Sequence, residues 1–136
     1  MYNICASAAD DQVPYVSFTH TLPQVHHLSG EDFKPFLKKK RNVLVMFYAP
    51  WCGHCKAAKP EYQKAAEHFK EDKKTVFAAL DCTKFHSICE QHDVSGFPTF
   101  KYFNYGKKSA HYSGPRNEEG FVEIMSNPMF FFRDEL

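Results

Sequence analysis

The sequence predicts an α/β fold, with a central mixed β-sheet and helices on both faces, stacked as a three-layer sandwich. Three observations carry this. Two continuous apolar runs of strand length, Val43 to Tyr48 and Val76 to Leu80, suit central strands covered on both sides. Between them Tyr62, Ala65, Ala66 and Phe69 recur at helical spacing. A strand–turn–strand pattern and a closing helix follow, so strands and helices alternate first and a hairpin ends the sheet. With 136 residues, 43% of them apolar, the chain is long enough for one domain with a real core and too short for two.

Residues 1–23 lack periodicity and read as a tail or linker, before a domain over 24–128 and a C-terminal tail over 129–136. Val25 to Leu28 is a short strand candidate. Ser29 and Asp32 stand at capping-box spacing, ahead of a helix that would bury Phe33, Phe36 and Leu37. Pro35 conflicts with that helix, which must begin near Lys34 or kink. Ala49-Pro50-Trp51 ends the first apolar strand, and a long helix follows from about Cys52, with Pro60 expected to kink it. Phe85 to His92 forms a short polar helix and Phe97 to Phe103 a third strand. Asn104-Tyr105-Gly106 turns into a weaker strand over Ser109 to Tyr112. Asn117 caps a last helix with Glu118 and Glu119 in its first turn and Phe121, Ile124 and Met125 buried.

A net charge of +1 gives no field suited to nucleic acid or an anionic membrane. The basic run Lys38 to Arg41 reads as a solvated helix end. No apolar stretch is long enough to span a bilayer. Met1 to Asp11 has neither a basic n-region nor an apolar h-region, so it does not read as a secretory signal peptide.

Five cysteines are the informative count. Cys52 and Cys55 form a C-x-x-C, Cys82 and Cys89 a wider pair, and Cys5 stands in the polar tail. A zinc site ordinarily shows two tight pairs, or one with paired histidines at finger spacing. Here the second pair has six intervening residues and no such histidines follow, so no metal is expected. The C-x-x-C falls where a buried strand meets a helix N-terminus. Orphan N–H groups and the positive end of the helix dipole stabilise an anion there. A thiolate at Cys52 gains this and becomes the nucleophile. Two residues later Cys55 comes round one turn, within disulfide reach. His54, when protonated, favours the thiolate further and makes the disulfide a better oxidant. A plain structural disulfide or two buried thiols is the competing reading.

Tyr48-Ala49-Pro50-Trp51-Cys52-Gly53-His54-Cys55-Lys56 resembles the active-site motif of the protein disulfide isomerase family. The likeness extends through Pro60-Glu61-Tyr62, Gly96-Phe97-Pro98-Thr99 and Tyr112-Ser113-Gly114-Pro115-Arg116. It implies a thioredoxin fold and catalysis of disulfide formation, reduction and isomerisation. Cys52 and Cys55 would be catalytic, with Gly53, His54 and Arg116 tuning the thiols, the arginine by swinging towards the second cysteine. Trp51, Phe97 and Pro98 would meet the substrate, Pro98 as the family's cis-proline; on the residues alone, an ordinary trans proline at a strand start leads. The resemblance also makes Cys82 and Cys89 a structural disulfide, worth about 2–3 kcal/mol, with free buried thiols as the alternative. Arg133-Asp134-Glu135-Leu136 resembles the endoplasmic-reticulum retrieval signal.

Two departures stand out. The family carries a buried carboxylate where Met46 stands, and its lysine partner corresponds to Ala79. That carboxylate is held to take the proton of the second cysteine, so Cys55 is expected to resolve mixed disulfides slowly. The implied partners are unfolded or misoxidised client proteins, with glutathione or another thiol oxidoreductase as redox partner. No organic cofactor, nucleic acid or membrane insertion is expected. A reducing thioredoxin-type protein and a client-binding chaperone module are the rival readings. The clients, the net direction and the domain count of any longer protein stay open.

Overall fold

The computed structural model describes residues 24–128. The tails over 1–23 and 129–136, with Cys5 and the retrieval-like Arg133 to Leu136, lie outside the described residues. In chain order the elements are β1 (Val25–His27), α1 (Phe33–Lys39), β2 (Asn42–Tyr48), α2 (Gly53–His68) and β3 (Thr75–Asp81). After these come α3 (His86–Gln91), β4 (Thr99–Asn104), β5 (Lys108–Tyr112) and α4 (Glu118–Ser126). Among the described residues the strands form one mixed sheet in the order β1-β3-β2-β4-β5. β1, β3 and β2 run parallel, while β4 and β5 are antiparallel to their neighbours.

The period of two along β2 divides the core. Leu44, Met46 and Tyr48 face α2 and α4, packing with Tyr62, Phe100, Phe121 and Met125. Val43, Val45 and Phe47 face α1 and α3, packing with Phe33, Leu37, Leu80 and Phe103. β2 is therefore apolar throughout because both of its faces are covered. Tyr62 ties α2 to the sheet, its hydroxyl 2.7 Å from the carbonyls of both Leu44 and Ala78.

Local chemistry explains where the elements begin and end. Ser29 and Asp32 form a reciprocal box, with the Ser29 N–H on Asp32 Oδ1 at 2.5 Å and the Asp32 N–H on Ser29 Oγ at 3.4 Å. The helix starts at Phe33, a residue before the expected point. Pro35 is its third residue, where an N–H would have no intrahelical acceptor, so the expected conflict does not arise. α2 runs through Pro60 without interruption. Phe85 and His92 cap α3 from outside it. The strand expected over Phe97 to Phe103 begins only at Thr99, because Pro98 has no N–H to give a ladder. β4 and β5 are joined by three residues, Tyr105 to Lys107, of which Tyr105 (φ 54°) and Gly106 (φ 71°) both take positive φ, as the central pair of a type I′ turn does. The Lys107 N–H closes it on the Asn104 carbonyl at 3.0 Å.

Gly120, in the first turn of α4, is needed for space. A Cβ there would stand 2.6 Å from both the Pro115 carbonyl and the Tyr112 hydroxyl. A helical glycine ordinarily gains about 1 kcal/mol on becoming alanine. Gly120→Ala is instead expected to lose about 1–3 kcal/mol through overpacking. Urea unfolding measures it, and an unchanged or raised midpoint would refute the steric account.

His92 lies among the rings of Phe33, Phe47 and Phe103. Burial, reinforced by Lys101 and Lys34, holds its pKa below the ordinary 6.5. His26 and His27 are lowered too, burial again first. The folded state thus binds fewer protons than the unfolded chain. The stabilisation is complete above 6.5 and is lost as pH falls below it through the folded values. Unfolding midpoints should drop across that window, with a shallower slope in His92→Gln. A slope identical in the two proteins would remove His92 from the effect.

Candidate active site

The β2–α2 junction sets the site. Cys52 caps α2 with extended backbone (φ −77°, ψ 123°), and its Sγ accepts the Cys55 N–H at 3.2 Å. A cap position there leaves the first-turn N–H groups aimed at the sulfur, where negative charge is favoured. The two cysteines stand as free thiols. They are not equivalent. Cys52 keeps 7% exposure and Cys55 none, so only the first is open to solvent.

The loop before β4 supplies the other wall. The Phe97–Pro98 peptide is cis, and the Phe97 carbonyl lies 3.6 Å from Cys52 Sγ. Pro98 is buried, while Phe97 is half-buried and packs edge-to-face on Trp51 at 5.8 Å between ring centroids. Trp51 is 69% exposed, an outlay of apolar surface directly beside the outer thiol. Gly53 and His54 are exposed at the start of α2, and Arg116 is exposed in the loop before α4.

Burial, aided by the hydrogen bond with Cys52, pushes the Cys55 thiol up to about 12. The Ala49 backbone and Lys59 act against this. Met46 and Ala79 are register partners on β2 and β3, both fully buried, so an apolar pair occupies the sheet behind the cysteines. Lys59 is the functional candidate that the sequence reading passed over. It lies in the stripe Cys55–Lys59–Tyr62–Ala66, and a lysine in an apolar stripe was the available signal.

Cys82, just past β3, is bonded to Cys89 of α3 (S–S 2.04 Å). Among the described residues no cluster of three or more His, Cys, Asp or Glu could hold a metal ion, and no helix is long and apolar enough to cross a membrane.

Comparison with known proteins places these features in a family. The thioredoxin family model matches residues 24–127. Over 103 residues, 74% of this chain, the sequence is 47% identical to mouse protein disulfide-isomerase A5, but spans only 20% of it. Over 109 residues it is 45% identical to a probable protein disulfide-isomerase A6 of Medicago sativa, spanning 79% of this chain and 30% of that protein. The first thioredoxin domain of mouse protein disulfide-isomerase A4 superposes with a TM-score of 0.66 at 38% identity, over 74% of this chain and 71% of that one.

Proposed function

This chain belongs to the thioredoxin family, and with relatives named protein disulfide-isomerases we propose that it makes, breaks and rearranges disulfides in client proteins. The observation that carries the reading is the asymmetric pair: Cys52 capping a helix with slight exposure, and Cys55 wholly buried one turn behind it with its N–H on the Cys52 sulfur.

In the reducing direction the Cys52 thiolate attacks a client disulfide and forms a mixed disulfide, releasing the other client sulfur as a thiolate. Cys55 then attacks Cys52 Sγ, closing the Cys52–Cys55 bond and releasing the second client thiol. Run backwards, the oxidised pair oxidises a client dithiol; repeated exchange rearranges client disulfides. Trp51 and Phe97 offer the client an apolar surface, and the backbone around Pro98 pairs with its chain. Gly53, His54 and Arg116 favour the thiolates, and glutathione or another thiol oxidoreductase resets the pair. Cys82–Cys89 stabilises the α3 side without taking part. The family resemblance supports the endoplasmic-reticulum lumen as the place of work.

The test is the reduction potential of Cys52–Cys55, read by thiol trapping after equilibration in graded glutathione buffers. A value near about −180 mV, that of protein disulfide isomerase, supports the proposal. One near or below about −270 mV, that of thioredoxin, supports a reductase or an inert bridge instead.

A further inference from the structure

We infer that Lys59 is a positioning residue for the resolving step: its buried side chain, one helical turn beyond Cys55, supports the Cys55 thiolate that closes the Cys52–Cys55 bond. The inference rests on the proposed disulfide chemistry.

The resolving thiol has a problem that the attacking thiol does not. It is wholly buried, its thiolate loses water, and the strands behind it offer Met46 and Ala79, neither of which can take a proton. Something must make the anion accessible. Residues four apart on a helix are neighbours on one face, which puts Lys59 one turn beyond Cys55 on the same buried face of α2. Lys59 keeps only 4% exposure, and removing an ammonium from water is costly. Its Nζ lies 5.7 Å from the centroid of the Tyr48 ring, whose π face offsets part of that cost. Lys59 also pulls the thiol of Cys55 downward, the direction that favours a thiolate.

The other charged and titratable groups around this pair are few. Cys52 lies at the head of the same helix and opposes ionisation of Cys55. Tyr48 ends β2, and His27 of β1 packs edge-to-face on it at 6.2 Å. Lys59 and Lys84 both disfavour a proton on His27, while Asp81 at the end of β3 favours it. Asp81 Oδ1 accepts the Thr83 N–H at 2.9 Å and its hydroxyl at 2.6 Å. Of the groups acting on Cys55, Lys59 is the cation.

The step balances without an added oxidant. Cys55 gives its proton to solvent, and its thiolate attacks Cys52 Sγ in the mixed disulfide. The Cys52–Cys55 bond forms as the Cys52–client bond breaks, and the client sulfur leaves with the electron pair to take a proton from solvent. The cysteine pair is oxidised by two electrons and the client reduced by two. Lys59 forms and breaks no bond in this step.

Stopped-flow reaction of the reduced chain, in a Cys5→Ser background, with a chromogenic aromatic disulfide separates the two events. The first release of coloured thiol reports attack by Cys52, and the second reports resolution by Cys55. In Lys59→Met the second phase is expected to slow about threefold near neutral pH, with its pH profile moved to the alkaline side. Lys59→Arg should recover most of the rate. Lys59→Gln, polar but uncharged, repeats the test should the methionine variant not fold. An unmoved second phase, or Lys59→Arg as slow as Lys59→Met, overturns the inference while leaving the disulfide chemistry standing. Absence of a first phase in the parent chain overturns the proposed function, and this inference with it.

Discussion

Cys52→Ser is expected to abolish client-disulfide turnover, by about three orders of magnitude or more, whereas Cys55→Ser leaves the first half-reaction and stops the second. A hydroxyl at neutral pH is not a nucleophile towards disulfide sulfur, so no other group in the site can replace the Cys52 thiolate. Position reinforces chemistry: Cys55 has no exposure, while Cys52 keeps some. In Cys55→Ser the mixed disulfide can be resolved only by an outside thiol, so covalent client adducts should accumulate. Non-reducing electrophoresis after mixing with an oxidised client makes the comparison directly. Adducts from Cys55→Ser and none from Cys52→Ser support the assignment. Adducts from Cys52→Ser would reverse the roles of the two cysteines. Neither substitution should move the unfolding midpoint by more than about 1 kcal/mol, since each exchanges one small side chain for another near the end of the core.

Much of this was legible because local chemistry and global pattern agree. The apolar run Val43 to Tyr48 suits a strand covered on both faces, and the structure divides its residues between two core clusters. Asn117 takes the cap that its side chain suits, accepting the Gly120 N–H at 2.8 Å. The C-x-x-C could be placed at a strand-to-helix junction before any geometry was known, and that placement carries most of the chemistry. What the pattern could not supply is contact between distant segments. Only the family resemblance brings Gly96 to Thr99 to the site; the crossing of β4 beside β2 is what lays Phe97 against Cys52 and Trp51. Lys59 was hidden for a different reason. A lysine is read as surface unless it breaks an apolar stripe, and this one breaks a stripe whose other members are a cysteine, a tyrosine and an alanine. The start of α1 was misplaced because proline was weighed as a helix breaker and not as a first-turn residue, where its missing donor is harmless.

Met46→Glu should separate stability from rate in the same molecule. Met46 is fully buried on the α2 face of β2, in one cluster with Cys55, Ala58 and Tyr62. A carboxylate there would lose its water and, opposite Ala79, would lack the partner that the family provides. The cost is about 3 kcal/mol, as for a buried charge whose counter-ion has been removed. It should shrink as pH falls, because a neutral carboxyl is cheaper to bury. Adding Ala79→Lys restores the charge pair across the parallel register. The double variant should therefore be more stable than the two single effects sum to, with a coupling of about 1 kcal/mol or more. The rate should move the other way. A carboxylate beside Cys55 can take its proton as the thiol attacks, which solvent must otherwise do, so Met46→Glu should speed release of a trapped mixed disulfide even as it lowers the unfolding midpoint. A destabilised protein with an unchanged release rate would mean that proton removal does not limit resolution. In that event the thiolate-supporting charge at Lys59 would be sufficient, and the apolar pair Met46–Ala79 would cost this chain nothing in turnover.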